Sequence, residues 1–393
     1  MPHLRPRILS SLVQKSLGWS PIVGVLGARQ CGKTTLLKQF AEQTISFDLP
    51  RNEILFEKSG EVLLETAKKP LFLDEVQKYP PVFDLLKYVV DEKKRPGQFL
   101  ITGSVRFASK RGIRESLTGR AVIWELLPLT LGETHSKGLS PFWDAIQEKS
   151  LPRLLARLQG SIQHSEDQLR TYVSLGGMPG ICFLRDEVQR NAAFSSLIET
   201  VLERDFFFIR PTKLRPAILF DLLTELALSQ GDLIVFSQFA RKYRISIPTL
   251  KAVLKTFEDL FLIRWHGKVC FFEDLGIRSF LVHSRGQSLG RRIESLLYSE
   301  FRAGKAYLKD EVIRLSHYST RGGAYLPFVL EGKSLGSIGV AVDEDDILSE
   351  KSRKSLYSFS TAKPKALLLH VHGGGRGLIY KDRILSVPVR FLV

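Results

Sequence analysis

The residues best placed to do chemistry lie near the N-terminus, in a glycine-rich run that ends in lysine and threonine. Residues 27–34, Gly-Ala-Arg-Gln-Cys-Gly-Lys-Thr, match the spacing G-x-x-x-x-G-K-[ST] in full, between an apolar run and a helix-like segment. In that context the glycines let the backbone curl so that its N–H groups point at phosphate oxygens, and the positive end of the following helix adds to them. The run therefore predicts a nucleoside triphosphate site. The residues expected to contact the nucleotide are Gly27, Ala28, Arg29, Gln30, Cys31, Gly32, Lys33, Thr34 and Thr35.

An acidic pair supplies the second half of such a site. The apolar residues 71–73 are followed directly by Asp74 and Glu75, about forty residues after the glycine-rich run. Asp74 and the Thr34 hydroxyl are expected to hold Mg²⁺, and Lys33 is expected to reach the β and γ phosphates. Glu75 would orient or deprotonate the attacking water. The two motifs together predict a site that can hydrolyse its nucleotide.

A polar strand end is the next candidate. The strand-like run 99–102 leads into Gly103 and Ser104. A polar side chain there can sense the γ-phosphate or position the water, and Ser104 is preferred over Thr102. Either residue could equally be a strand-end cap.

Phosphoryl transfer also needs positive charge on the transferred group. Arg120 is the first choice for that charge, and Arg106 and Arg204 are the alternatives. The sequence leaves open whether such an arginine acts within one chain or across two. Other basic residues follow the same strand-like run, at Lys110, Arg111 and Arg114.

The elements that must position these residues follow an α/β pattern. Strand-like runs at 21–26, 44–49, 70–73, 99–102 and 121–126 alternate with helix-like segments, the first of them over 34–43. Such alternation predicts a parallel sheet with helices on both faces. We therefore expect a P-loop domain over residues 1–150, followed by a helical connector over 151–210.

Residues 211–285 predict a compact helical unit. Helix-like segments at 217–229, 237–243 and 248–260 precede a β-hairpin that ends at residue 272, which is a winged-helix arrangement. The third helix carries Lys251 and Lys255, and three more basic residues, Arg241, Lys242 and Arg244, come just before it. These side chains could meet DNA phosphates. The alternative is a domain that packs only against a protein partner.

The composition limits the class of protein. The formal charge is +16 and the three cysteines are widely spaced, so the sequence indicates a reducing compartment and polyanionic partners such as nucleic acid. A generally basic surface that aids solubility is the alternative. No apolar run approaches the roughly 18 residues of a membrane span, so we expect a cytoplasmic protein with no membrane partner.

The chain resembles the bacterial and archaeal AAA-superfamily ATPases, near their STAND-type branch, that carry a C-terminal domain of unknown function. The resemblance is carried by GARQCGKTTLLKQF, PLFLDEVQKYPPVFDLLKYVVDE, FLITGSVRF, SLTGRAVIWELLPLTLGE, YVSLGGMPG and ERDFFFI. It implies ATP and Mg²⁺ as ligands, and ATP hydrolysis that drives a nucleotide-controlled domain switch. The alternatives are a DNA-binding regulatory or defence-associated protein that uses ATP mainly as a structural switch, and a silent interaction protein. A protein partner or a homo-oligomer also stays open.

The resemblance further implies a restriction-nuclease-like α/β domain over residues 286–393, and here the chain departs from the family. Those folds hold metal with a helix glutamate, a strand aspartate and a Glu-x-Lys pair. Glu294 fits the helix position, but Pro327 replaces the aspartate, and Ala341 and Asp343 replace the Glu and Lys. Because Glu294 alone cannot hold a catalytic metal, nuclease activity is not expected. The domain would serve as a scaffold or a nucleic-acid-binding surface.

Overall fold

The computed structural model describes residues 4–106, 111–148, 150–283, 289–308, 312–380 and 383–393, without the side chains of residues 111 and 289–291. None of the helices in these ranges is both long and apolar enough to cross a membrane.

The N-terminal part of the chain alternates helices with strands. Its elements are α1 (Leu9–Leu17), β1 (Ile22–Leu26), α2 (Lys33–Leu37), β2 (Gln43–Ser46), α3 (Pro50–Thr66), β3 (Leu71–Asp74), α4 (Val82–Glu92), β4 (Phe99–Gly103), α5 (Arg111–Leu117) and β5 (Ala121–Glu125). The five strands run parallel in the order β2-β3-β4-β1-β5. Every residue of β1, β3 and β4 is buried, as expected for a parallel sheet covered on both faces. The predicted α/β fold is confirmed for this part.

The strand order fixes where the site lies. Since β4 pairs with both β1 and β3 and all three are parallel, their carboxyl ends meet at one edge of the sheet. The loop that follows β1 holds residues 27–32, β3 ends at Asp74 and β4 ends at Gly103. All three predicted segments therefore converge on this edge.

The helix after the glycine-rich loop is shorter than the sequence predicts. It ends at Leu37 rather than near residue 43. The backbone N–H of Glu42 donates to Pro70 O at 3.0 Å, and β2 begins at Gln43, opposite Leu71 of β3. Strand pairing therefore overrides the helix propensity of this segment.

A helical region follows the sheet. Its elements are α6 (Leu131–Thr134), α7 (Phe142–Ala145), α8 (Leu151–Gly160), α9 (Glu166–Leu175), α10 (Glu187–Glu199), a π-helical turn (Thr200–Asp205) and α11 (Phe206–Ile209). Between α9 and α10, the segment 175–180 packs against the end of the sheet domain. Leu129 N donates to Gly177 O at 2.8 Å, and a Cβ on Gly177 would lie 2.0 Å from Leu129 O. Only glycine permits this close approach.

Three helices and a hairpin come next, each helix within one residue of its predicted position. The elements are α12 (Pro216–Leu228), α13 (Phe236–Lys242), α14 (Ile247–Asp259), β6 (Ile263–His266), β7 (Val269–Phe272) and α15 (Leu275–Leu281). The Ser246 side chain accepts from Thr249 N at 3.1 Å and caps α14, which has proline in its first turn. The assignment of this unit as a winged helix stays a prediction.

The C-terminal part contains a second, mixed sheet. Its elements are α16 (Leu289–Tyr307), β8 (Arg314–Ser319), β9 (Tyr325–Gly332), β10 (Gly336–Val342), α17 (Glu350–Ala362), β11 (Leu367–His372), β12 (Leu378–Ile379) and β13 (Ile384–Pro388). The strand order is β12-β13-β11-β10-β9-β8. The sequence predicts strands at 312–318, 324–330, 338–342 and 366–370 but not β12 or β13, although β13 is buried throughout and pairs in parallel with β11. The likeness of this sheet to a nuclease fold stays a prediction.

Two residues that stand at the expected nuclease positions, Asp343 and Pro327, make other contacts in this structure. The Asp343 carboxylate accepts from Ser349 Oγ and Ser352 Oγ, each at 3.0 Å, and it lies 3.1 Å from His370 Nε2. Pro327 O lies 3.0 Å from His266 Nε2 in the hairpin. Asp343 therefore helps to begin α17 and to anchor β11.

An ionic cluster of three arginines and two glutamates joins the sheet domain to both later parts of the chain. Arg302 of α16 donates to Glu125 of β5 at 2.6 Å and contacts Glu273, and Arg264 of β6 contacts the same two carboxylates. Arg106 lies 3.0 Å from Glu273, which is buried. Burial by itself raises the pKa of Glu273, but Arg302, Arg264 and Arg106 outweigh it and hold that pKa at about 2.

Candidate active site

The glycine-rich loop curls around its own lysine. Gly32, with φ of 98°, is the N-cap of α2. Buried Lys33 donates from Nζ to Gly27 O at 3.1 Å and to Ala28 O at 2.9 Å. A Cβ on Gly27 would lie 2.3 Å from Leu126 O, so this position also requires glycine. The loop thus has the strand–loop–helix form that cradles phosphates at a helix N-terminus.

The other predicted contact residues surround the same loop. Gln30, which has a left-handed φ of 62°, and Thr35 line a cavity of about 340 Å³ beside Lys33. Cys31 is fully buried, and burial raises the pKa of its thiol, so the thiol stays protonated. Arg29 points away from the cavity residues toward Asp205, with Nη1 at 2.9 Å from Oδ2.

Thr34 and Asp74 lie face to face. Thr34 Oγ1 donates to Asp74 Oδ1 at 3.0 Å, and Thr102 Oγ1 donates to the same oxygen at 2.5 Å. Burial raises the pKa of Asp74, while the hydrogen bonds from Thr102 and Thr34 oppose that rise. A hydroxyl and a carboxylate are the oxygen ligands that Mg²⁺ prefers, so this pair fits the ion. Within the described ranges no three His, Cys, Asp or Glu side chains form a metal-binding group, so phosphates and water would complete the coordination.

Glu75 is held in a strained position next to this pair. Its φ is 54°, an uncommon value for a residue with a side chain, and its N–H donates to Thr102 Oγ1 at 3.0 Å. The carboxylate Oε2 accepts from Ser104 Oγ at 2.8 Å and from Gln77 Nε2 at 2.5 Å. Such strain persists only where the surroundings impose it, and it concentrates at functional sites.

Gln77 is a site residue that the sequence did not reveal. The 3₁₀ turn Val76–Lys78 returns its buried amide to the site, where Nε2 also donates to Ser104 Oγ at 3.1 Å. The amide therefore holds both Glu75 and Ser104. Its signal in the sequence is weak, because a glutamine two residues after the acidic pair belongs to none of the spacings considered.

The structure corrects the choice of Arg120. Ile22 N donates to Arg120 O at 3.1 Å, so Arg120 lies beside the amino end of β1, whereas the loop leaves its carboxyl end. The four residue steps from Ile22 to Leu26 along β1 span roughly 13 Å, and this length separates Arg120 from the loop. The Arg120 guanidinium instead pairs with Asp91, with Nε–Oδ1 and Nη2–Oδ2 distances of 2.6 Å. Arg120 is therefore not part of the phosphate site of its own chain.

The other arginines also differ in whether they are linked to the phosphate loop. Arg106 belongs to the ionic cluster, and Arg114 is exposed on α5. Arg204 lies 3.0 Å from Asp205, the residue that also binds Arg29 of the loop. Among Arg120, Arg106 and Arg204, Arg204 is therefore the one that shares a partner with an arginine of the phosphate loop. Lys110 and the side chain of Arg111 lie outside the described residues.

A second wall of the cavity comes from distant parts of the chain. Leu4, Arg5, Arg7, Leu129, Pro179 and Gly180 line it opposite the loop. Arg7 donates to Cys31 O at 2.8 Å and to Leu127 O at 2.5 Å, and it pairs with Glu133. It thereby ties the loop to the end of the sheet domain.

Known proteins share parts of this arrangement. Residues 20–135 match the AAA domain family. Residues 166–270 match a second family, described as a domain of unknown function, DUF8612. The AAA match spans β1 to β5 together with the loop, Asp74, Glu75 and Ser104, and it supports an AAA-superfamily ATPase.

Two mycobacterial proteins resemble most of the chain. They are the uncharacterized proteins Rv2008c of Mycobacterium tuberculosis and Mb2031c of Mycobacterium bovis. Each is 25% identical over 388 residues, which are 97% of this chain and 74% of the relative.

Among solved structures, the chain resembles a Walker-type ATPase of Pyrococcus abyssi, with a TM-score of 0.41 and 16% identity, over 69% of this chain and 94% of that one. It also resembles a STAND protein of Pyrococcus horikoshii with a tetratricopeptide repeat sensor. There the TM-score is 0.28 and the identity 16%, over 77% of this chain and 48% of the other.

Proposed function

We propose that this protein hydrolyses ATP with Mg²⁺ at the carboxyl edge of its first sheet, and that the nucleotide state controls the arrangement of its domains. The observation that carries the proposal is the pairing of two units at that edge. The Thr34–Asp74 pair suits a metal ion, and next to it Ser104 and Gln77 fix the Glu75 carboxylate.

Each residue has a role that follows from its contacts. The loop N–H groups and Lys33 bind the phosphates, and Thr34 and Asp74 hold Mg²⁺, which when bound neutralises phosphate charge. Glu75 accepts the proton of the attacking water. Because Ser104 donates to Glu75, it acts as a positioning residue for this base.

ATP turnover by the full chain tests this assignment. Glu75→Gln keeps the shape of the side chain but removes the base, so we expect kcat to fall about 10²–10⁴-fold while ATP still binds. Lys33→Ala should weaken ATP binding itself. The matched control is Glu57→Gln, an exposed carboxylate on α3 that should leave both quantities unchanged. Full turnover by Glu75→Gln would contradict the role of Glu75.

Two contacts support control of the domain arrangement. Arg29 of the phosphate loop pairs with Asp205 at the end of the π-helical turn, which connects the sheet domain to the helical unit. On the other side of the site, Arg106 follows Ser104 by two residues and contacts Glu273 in the ionic cluster. We expect a shift of the loop or of the end of β4 to reach later parts of the chain through these two contacts.

A further inference from the structure

A groove runs along one side of the molecule. It is formed by α9, α10, α15, the start of α16, the loop after β11 and residues 388–390. It comprises two adjoining cavities of about 480 and 200 Å³, which share Val173, Ser174 and Arg292. The first extends to α10 and α15, and the second extends to Gly373 and Arg390. We call this surface the basic groove.

The described walls of the basic groove carry a surplus of positive charge. Five arginines and two glutamates, Glu187 and Glu166, line the groove, and one of the arginines, Arg278, is buried and donates to Ser295 Oγ at 3.2 Å. The arginines are Arg170, Arg190, Arg278, Arg292 and Arg390. Arg170 and Arg390 share Glu166, at 3.9 and 3.4 Å, so one carboxylate serves two guanidinium groups. The net charge suits an extended polyanion.

An aromatic pair lies in the wall of the larger cavity. The rings of Phe194 and Phe280 stack, with centroids 5.7 Å apart and an interplanar angle of 28°. Phe280 is only half-buried. Aromatic rings beside a positively charged groove are how many proteins hold single-stranded nucleic acid, because every base can stack on them.

The basic residues of the helical unit are a poorer surface for phosphates. Lys255 of α14 lies 2.8 Å from Glu258 and 3.1 Å from Asp259, and Lys242 of α13 lies 2.7 Å from Glu225. Lys251 stands over the Phe236 ring, 5.7 Å from its centroid. With two lysines and two acidic residues, α14 has no net charge.

We propose that the basic groove binds single-stranded nucleic acid, with Arg170, Arg190, Arg292 and Arg390 on the sugar-phosphate backbone and Phe280 stacked on a base. The groove is separate from the proposed ATP site, and this inference does not depend on ATP hydrolysis. It places nucleic acid on the connector and the C-terminal part of the chain rather than on α14.

The test measures binding of a fluorescein-labelled oligodeoxythymidylate to the full chain without nucleotide, across a range of salt concentrations. The oligonucleotide should exceed the roughly 4–16 nucleotides that a single-strand site covers. We expect the double variant Arg190→Ala/Arg292→Ala to bind at least tenfold more weakly. The slope of log affinity against log salt should fall by about 1.4, since each phosphate contact on a single strand contributes about 0.7. Phe280→Leu should weaken binding roughly fivefold or more, because a stacked base is lost.

The matched control is Lys251→Ala/Lys255→Ala, which removes the same charge from α14. It should bind within twofold of the wild type. Unchanged affinity and salt slope in the arginine variant would overturn the proposal, as would a loss confined to the α14 variant. Binding of duplex DNA as tightly as the single strand, or more tightly, at the same salt concentration would also overturn it. Inorganic phosphate that displaces all of the oligonucleotide at an equal concentration would overturn it too.

Photocrosslinking covers the case in which a variant does not fold. A wild-type chain irradiated with oligonucleotide that contains 5-iodouracil should yield crosslinked peptides from residues 166–194 or 275–283. Crosslinks found only within 236–259 would contradict the proposed location. ATPase activity plays no part in either readout, so a failed hydrolysis experiment and a failed binding experiment are distinguishable.

Discussion

At the scale of single residues, the site depends on how one carboxylate is held. Glu75 receives hydrogen bonds from Ser104 and Gln77, and its backbone is fixed by Thr102 in a left-handed conformation. The proposed base is therefore oriented before any substrate arrives. Such orientation accounts for a large share of enzymatic rate enhancement.

Gln77→Ala should therefore lower kcat about 10–100-fold with little change in KM. A hydrogen bond to a charged group contributes about 1.5–3 kcal/mol, and each 1.4 kcal/mol corresponds to a factor of ten in rate. Steady-state ATP turnover measures both constants. Gln39→Ala is the control, because Gln39 lines the same cavity but is exposed. An equal rise in KM for both variants, with kcat intact, would show that Gln77 only shapes the cavity.

The part of the site that the sequence predicts is the part encoded by local spacing. The loop, Asp74, Glu75 and Ser104 each lie at the carboxyl end of a strand, and parallel strands bring these ends together. Arg120 was misjudged because nearness in sequence does not say at which end of a strand a residue lies. Gln77 and Arg7 reach the site through a tight turn and through contacts more than one hundred residues apart, which no short pattern encodes.

At the scale of elements, the π-helical turn Thr200–Asp205 connects the phosphate loop to the helical unit. Asp205 at its end binds both Arg29 and Arg204. Both side chains of the Arg29–Asp205 pair are only partly exposed, so this contact is screened less than an ordinary surface pair, whereas Arg204 is more than half exposed. The turn is therefore well placed to report a change in the loop.

Asp205→Asn should uncouple the helical unit from the nucleotide. In a Glu75→Gln background, which we expect to retain ATP, small-angle X-ray scattering should show different radii of gyration for the ATP-bound and ADP-bound chains. The added Asp205→Asn change should reduce that difference while ATP affinity stays within a fewfold. Glu203→Gln, an exposed carboxylate on the same turn, is the control. Identical scattering in both nucleotide states before Asp205 is changed would count against a domain switch.

The positions of α12, α13 and α14 are predictable because the spacing of their apolar residues and the helix-breaking residues around them indicate the same boundaries. Element positions are not predictable where pairing with a distant strand decides. The segment after Leu37 has helix-forming residues, but Glu42 is already paired with Pro70. Likewise β13 is a short apolar run that becomes a strand only because β11 lies beside it.

At the scale of the whole molecule, α16 docks the C-terminal sheet against the end of the first domain. Glu300 accepts from Leu131 N at 3.2 Å, and Tyr307 Oη accepts from Leu127 N at 2.9 Å. Glu300 is buried, and burial followed by the nearby Glu133 carboxylate raises its pKa to about 7, while the hydrogen bond from Leu131 opposes that rise. The ionised form is therefore unfavourable in the docked state.

This docking should weaken as pH rises. With an unfolded pKa of 4.5 and a folded pKa of about 7, Glu300 binds its proton more tightly in the folded chain, so its contribution declines between those pH values. Glu300→Gln keeps an acceptor but cannot ionise. Its melting temperature should equal that of the wild type near pH 5 and exceed it at pH 8, by an amount that reflects roughly 2–3 kcal/mol. Parallel melting curves across this range would show that Glu300 does not ionise within it. Glu57→Gln, on an exposed carboxylate of α3, is the control.

Residues 173–180 touch both of the proposed ligand surfaces. Val173, Ser174 and Leu175 line the basic groove, while Pro179 and Gly180 line the cavity beside the phosphate loop. The free energies of binding two ligands to one protein form a closed cycle. If a ligand in the groove changes the affinity for nucleotide by some factor, bound nucleotide therefore changes the affinity of the groove for its ligand by the same factor. Single-stranded nucleic acid bound at the groove would thus act on ATP affinity as strongly as ATP acts on nucleic acid. Titrating either ligand in the presence of the other measures one and the same coupling constant.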